Sequence, residues 1–191
     1  MKDQRSALNM RLGKEYLAKM KGSTKSPPGV SCKEIFWSWL GSLIGIGCLA
    51  YLSSLYFAPR DLPLLFGPLG ASAVLVFGAS KSPLAQPRNL IGGHIIAGLI
   101  GVAAYQLFGR VNWLAAALAV SFAIAVMLAT KTLHPPAGAT ALIAVVGGEE
   151  IHSLGFLYPF LPAGAGAFIL LIVALLFNNL AHHRKYPDYW F

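Results

Sequence analysis

His94 and His134 are the residues whose type and setting point most directly to chemistry in this chain. His94 is the one ionisable residue well inside an otherwise apolar segment. Such a group marks a pathway or binding site by default, the alternative being a histidine hydrogen-bonded between helices. His134 directly precedes Pro135 and Pro136, where its ring either caps a neighbouring carbonyl or reaches a substrate, donating to an anion or carrying a proton. The two prolines suit the first turn of a helix and little else in an apolar setting. Ala137, Gly138, Ala139 and Thr140 follow, small enough to let a solute approach the free amides of that turn. A helix start carries about half a unit of positive charge and favours a small anion. Lys131, at the head of the same stretch, is either a snorkelling anchor or part of the site. Arg88 and Asn89, just before the segment that carries His94, could hold a carboxylate, a phosphate or a loop carbonyl.

Other chemistries find no footing. Beyond residue 34 the carboxylates are Asp61, Glu149, Glu150 and Asp188, all in connecting segments or the tail, and no Ser, His and Asp constellation is readable. No enzyme is expected. A phosphate loop of the Walker kind is missing, so ATP is not the energy source within this chain. His182 and His183 have no supporting cysteine or carboxylate, and neither a metal nor a cofactor is expected. Cys32 and Cys48 define no disulfide framework.

The elements that must position these residues are membrane helices. Hydrophobic residues make up 56% of 191 positions and charged residues 12%, about half the charged share of an ordinary soluble domain. Eight of the fifteen Lys and Arg residues precede Glu34, so the net charge of +8 describes a flank and not a nucleic-acid surface. Basic flanks mark the cytoplasmic side and attract anionic lipid. The long charged leader before the first apolar run argues against a cleaved secretory signal. Residues 6–21 place Leu8, Leu12, Tyr16 and Met20 four apart, the pattern of a surface-lying amphipathic helix or a frayed basic leader. Trp37 to Phe57, Asn89 to Phe108, Trp113 to Thr130 and Phe156 to Leu180 read as full spans. Gly41 and Gly45 form a small-residue stripe in the first, which makes a homo-oligomer reasonable. Between the spans lie two shorter apolar stretches, Leu64 to Ala79 and Lys131 to Gly148, and a loop carries Glu149, Glu150 and His152.

The two short stretches match. Pro68 with LGASAVLVFG and Pro136 with AGATALIAVVG line up at an offset of 68, which pairs Gly70 with Gly138 and Ser72 with Thr140. The same offset carries Asn89–Phe108 onto Leu157–Leu176. The expected fold is therefore an all-α polytopic membrane protein of two repeats, each a span, a short Pro/Gly-opened helix and a span. Six crossings with the N-terminus inside put Lys81, Arg88 and Lys131 in inner loops and leave Arg60 and Arg110 outside. Four crossings with re-entrant short elements reverse most of that, so the positive-inside tendency favours six elements and inverted repeats. The boundaries are a cytoplasmic leader over 1–35, a membrane domain over 36–181 with repeats at 36–108 and 113–180, and a cytoplasmic tail over 182–191.

The run His134-Pro135-Pro136 with AGATAL behind it and GG closing resembles the HPP family of integral membrane proteins. The similarity extends to SPLAQPRN before the second span, to GH within it, and to NNLAHHRKYPDYW at the end, covering roughly Ser38 to Trp190. The family is described with four predicted transmembrane helices, against six elements here, and some members carry a C-terminal CBS domain, a pattern these 191 residues do not contain. Cyanobacterial and chloroplast members are associated with nitrite transport. The resemblance implies a small-anion transporter with nitrite as leading substrate. Asp3, Glu15 and Glu34 in the leader count against a transit peptide, so a bacterial inner membrane is expected first and a chloroplast envelope second. The expected site joins Gly70, Ser72, His94, His134, Pro136, Gly138 and Thr140 with Lys131, Arg88 and Asn89; its partners are a small anion and the bilayer. The competing reading is a non-transporting scaffold or sensor, for which loss of residues 1–25 would abolish function.

Overall fold

A computed structural model describes residues 11, 12, 14–22, 24–57 and 67–191. The chain divides into a leader unit, Met1–Ser31, and a membrane unit, Cys32–Phe191. In the leader, residues 11–12 and 14–19 are helical, Leu12, Tyr16 and Met20 are exposed, and Arg11 pairs with Glu15 one turn on, at 3.1 Å. Leu8 and the start of the expected amphipathic helix lie outside the described residues, as do Arg60 and Asp61.

The membrane unit contains no strand among its described residues. Helix α1 spans Cys32–Leu52 and continues as a π-helical turn over Ser53–Phe57. It begins five residues before the apolar run, because Lys33 and Glu34 tolerate helix and Glu34 sits favourably in the first turn. Helix α2 covers Gly67–Gly78, α3 Pro87–Phe108, α4 Asn112–Ala129 and α5 Pro135–Val146. The segment read as a loop at Glu149 folds instead into a short helix, α6, Glu149–Leu154, with both acids in its positive first turn. Pro159–Gly164, with non-helical Leu161, then leads into α7, Ala165–Asn178.

Among the described residues, four segments are long and apolar enough to cross a membrane: Cys32–Leu55, Pro87–Phe108, Asn112–Ala129 and Pro159–Asn178. Helices α2 and α5 have 12 residues each, about 18 Å of rise against a hydrocarbon core of about 30 Å. Neither described helix is long enough to cross alone. Helix α5 bends by 98° into the segment Glu149–Leu157.

Polar contacts fix which helix ends lie together. Arg184, beyond α7, reaches Glu34 and Ser38 at the start of α1 and the Phe77 carbonyl at the end of α2. Tyr186 donates to the Ala85 carbonyl and Tyr189 to that of Pro83, both just before α3. Arg88 reaches the Thr130 carbonyl at the end of α4. One face of the bundle, here the tail face, therefore gathers the starts of α1, α3 and α5 and the ends of α2, α4 and α7. At the opposite face Tyr105 stacks on His152, with ring centroids 3.7 Å apart.

Packing does not follow the order of the chain. Helices α1, α2 and α7 share one core, built on Leu49, Leu69, Phe77 and Leu170, into which Leu90 of α3 also packs. Helices α3, α4 and α5 share another, built on Ala97, Ala119, Met127 and Ala141. The third span of each expected repeat is thus exchanged into the other's packing group. Glycines let this happen. A Cβ on Gly101 of α3 would stand 2.5 Å from the Ala141 carbonyl oxygen of α5, and one on Gly93 would stand 2.6 Å from His134 Cβ. Gly41 and Gly45, the stripe expected to serve an oligomer, are filled from within the chain: a Cβ on either would meet the Phe77 ring at 2.6 Å.

Candidate functional site

Where the two packing groups meet, four polar side chains from three helices and the turn before α5 form one buried network. Ser72, His94, His134 and Thr140 are each fully buried, at 0% exposure, which in an apolar bundle obliges every polar atom to find a partner. Ser72, in the second turn of α2, lies 2.8 Å from His94 Nε2 and 2.8 Å from His134 Nε2. His94 Nδ1 meets Thr140 Oγ1 at 2.7 Å, and His134 Nδ1 meets the Leu84 carbonyl at 2.8 Å. The two rings stand edge to face with centroids 5.2 Å apart. Tyr158 donates to the Thr140 carbonyl at 3.0 Å. Such interhelical bonds contribute only about 0.6–2 kcal/mol each in membranes. A network of this size is thus a modest contributor to stability and a strong constraint on geometry.

Local sequence explains each placement. Pro135 and Pro136 open α5, and His134 at its N-cap is extended, so its ring projects away from the helix toward Ser72 and the Leu84 turn. Gly92 and Gly93 admit the Thr132–His134 backbone against α3: added Cβ atoms would stand 2.8 Å from the Thr132 methyl and 2.6 Å from His134 Cβ. His94 enters the site two turns into α3, roughly 10 Å from its first residue.

The expected site residues separate into two sets. Ser72, His94, His134 and Thr140 converge. Gly70 and Gly138 do not join them, because residues two apart on a helix point about 200° apart. Gly70 is exposed and Gly138 half-buried, and a Cβ on either would meet no described atom within 4 Å. Pro136 is buried beside the network as part of the first turn of α5. Arg88 and Asn89 hold loop carbonyls, those of Thr130 at 2.7 Å and Leu133 at 2.8 Å, and so seat the turn that presents His134. Lys131 is the left-handed residue of that turn, at φ 58°, and is exposed. The Thr132 amide bonds back to Met127 and the Lys131 amide to Leu128, the double closure that ends a helix at a residue in this conformation. Lys131 is therefore held by backbone geometry at a place glycine usually takes.

Three supporting residues carried no local signal. Gln86, fully buried, donates to the Ser80 and Ser82 carbonyls and accepts the Asp188 amide. Arg184 binds Glu34, Ser38, Asn178 and the Phe77 carbonyl, with its side chain 2% exposed. Tyr186 is buried against the Ala85 carbonyl, and burial pushes its hydroxyl pKa up, leaving it a neutral donor. All three tie the tail, 182–191, to the Ser80–Arg88 loop or to α1 and α2, so it packs as part of the bundle. Its quoted motif, NNLAHHRKYPDYW, was the one hint.

An all-helical bundle with four long apolar helices, two short apolar ones and a buried polar knot defines a multi-pass membrane protein. The family model for the HPP transmembrane region matches residues 27–187, and the chain belongs to that family. Two proteins of Dictyostelium discoideum, each named as a transmembrane protein, are similar to it. One is 47% identical over 179 residues, 92% of this chain and 57% of its own length; the other is 45% identical over 172 residues, 88% and 60%. The chain thus spans under two thirds of the length of these relatives. No solved structure matches it.

Proposed function

We propose that the protein passes a small monovalent anion, nitrite first, across the membrane between its two packing groups. The observation that carries this reading is the buried Ser72–His94–His134–Thr140 network, in which a hydroxyl of one group is the bridge to both imidazoles of the other. In the described arrangement these donors are spent on one another. Separating the α1, α2 and α7 group from the α3, α4 and α5 group breaks both Ser72 contacts and offers imidazole and hydroxyl donors to an entering anion. The halves are inverted in this reading. It is supported by the gathering of helix ends, since α1 and α4, α2 and α5, and α3 and α7 each have opposite ends at the tail face. Inverted repeats around a shared site are how many carriers alternate access.

The experiment is flux in proteoliposomes, comparing nitrite, nitrate, formate and chloride. Thr140→Val keeps the shape and removes one donor; a hydrogen bond to an ion contributes about 1.5–3 kcal/mol, so nitrite flux should fall roughly 10- to 100-fold while the purified protein stays monodisperse. Wild-type vesicles that move none of the four anions would end the proposal.

Orientation follows from charge in the same reading. Lys33, Lys81, Arg88, Lys131, Arg184 and Lys185 belong to segments at the tail face, whereas Glu149 and Glu150 sit with Arg110 at the other, so the tail face is placed in the cytoplasm. In a Cys32→Ser, Cys48→Ala background, Lys81→Cys should react with an impermeant maleimide only after the cells are opened, and Glu149→Cys in intact cells. The reverse pattern would overturn the orientation.

A further inference from the structure

The network admits one arrangement of hydrogens when both rings are neutral. The Leu84 carbonyl can only accept, so His134 carries its hydrogen on Nδ1 and presents a bare Nε2 to Ser72. Ser72 must then donate to His134, and being left with lone pairs it accepts from His94 Nε2–H. His94 Nδ1 is therefore bare, and Thr140 donates to it. All four hydrogens point the same way along the chain Thr140, His94, Ser72, His134, Leu84. The 3.0 Å approach of Ser72 Oγ to the Pro68 carbonyl has no hydrogen in this state.

An added proton fits without moving a heavy atom. On His94 it occupies Nδ1 and donates to Thr140, which turns from donor to acceptor. On His134 it occupies Nε2 and donates to Ser72, whose own hydrogen turns to the Pro68 carbonyl or to His94. The two states interconvert through the hydroxyl: the His94 Nε2–H bond breaks as a Ser72 O–H bond forms, while the original Ser72 O–H bond breaks and a His134 Nε2–H bond forms. Atoms and charge balance, and no other reactant is needed. A second proton would place two cations 5.2 Å apart at 0% exposure, where nothing screens their repulsion.

We propose that Ser72, His94 and His134 form a site for a single proton, shared across the junction of the two packing groups. Among the described residues, its surroundings supply no counter-charge. Helices α2, α5 and α7 carry no charged residue. On α3 the guanidinium of Arg88 is turned to Thr130, Lys131 before α5 is exposed, and Tyr158 faces the Thr140 carbonyl. Glu34 is engaged by Arg184, while Glu149, Glu150 and Asp188 are exposed. An anion is then the natural partner of the proton. This last step rests on the transport reading: loading His94 frees the Thr140 hydroxyl hydrogen, so that a proton and a monovalent anion enter together with no net charge.

The test is nitrogen-15 NMR of histidine-labelled protein in nanodiscs, with His94→Gln and His134→Gln for assignment. Neutral His94 should carry its hydrogen on Nε2 and neutral His134 on Nδ1, and acidification should load one proton per pair, seen at both rings in parallel. Ser72→Ala should abolish that parallel response. Neutral rings with hydrogens on the opposite nitrogens, or two protons taken up independently by the wild-type pair, would overturn the proposal; if Ser72→Ala does not fold, the wild-type hydrogen positions decide it alone. The measurement needs no anion, so a protein that shows the shared proton but moves no nitrite, nitrate, formate or chloride leaves the proton site standing and removes the transport reading.

Discussion

Replacing Arg184 by methionine should lower stability by roughly 3 kcal/mol, the low end of what breaking a buried ion pair costs. At this chain length that corresponds to a fall of roughly 6–12 °C in the unfolding midpoint, measured in detergent. The low end is chosen because the Glu34 side chain is 29% exposed and recovers water when its partner goes. Most of the cost falls on buried acceptors: the Phe77 carbonyl and Asn178 Oδ1 each lose a charged donor, at 3.3 and 3.1 Å. Lys185, the neighbouring cation, is exposed. Lys185→Met should leave the midpoint where it was, and equal effects from the two variants would show that the guanidinium clamp does not hold the bundle together.

Gly101→Val is expected to be of similar size for a different reason. The first carbon of its side chain would stand 2.5 Å from the Ala141 carbonyl oxygen and 2.7 Å from Ala144 Cβ, and the nearer obstacle is backbone that no rotamer can clear. Helices α3 and α5 must separate to admit it. Overpacking of this kind costs about 1–3 kcal/mol and occasionally more, and the separation would also pull His94 from Thr140. Gly138→Ala is the contrasting variant. Its Cβ meets no described atom within 4 Å, and alanine gains about 1 kcal/mol over glycine within a helix. A drop in midpoint and folded yield for Gly101→Val, with none for Gly138→Ala, would bear out the packing; tolerance of valine at 101 would contradict it.

What could be read in the sequence was the likeness of its two short helices. The offset of 68 that joins Pro68 to Pro136 also aligns the described helix Gly67–Gly78 with Pro135–Val146. Proline opens a helix wherever it stands, and a hydroxyl two turns from a bundle's apolar surface must find a partner, so Ser72 and Thr140 were legible as a pair. That both reach His94 was not legible, because the meeting depends on Gly93 and Gly101 setting how closely α3 and α5 approach. Tertiary partners a hundred residues away were beyond reach in principle. Arg184 reads as one more basic residue beside a membrane, and nothing near it in the chain distinguishes it from Lys185. The glycine stripe of α1 carried a real signal for close packing, but glycine cannot announce whether the neighbour is another chain or, as here, Phe77.

The docking of the tail sets an order on how the molecule is made. Leu84, which receives the His134 ring, stands in a turn whose neighbours Ala85 and Gln86 are held by Tyr186 and Asp188, about a hundred residues further on. Chains emerge from the ribosome at about 5–20 residues per second, N-terminal parts first. The first two spans and the Ser80–Arg88 turn are therefore in the bilayer for several seconds before the residues that complete their tail-face fastening exist. During the first part of that interval, until residues 134–140 follow, Ser72 and His94 have each other but neither His134 nor Thr140, and the half-built protein is an open polar cleft awaiting its second half.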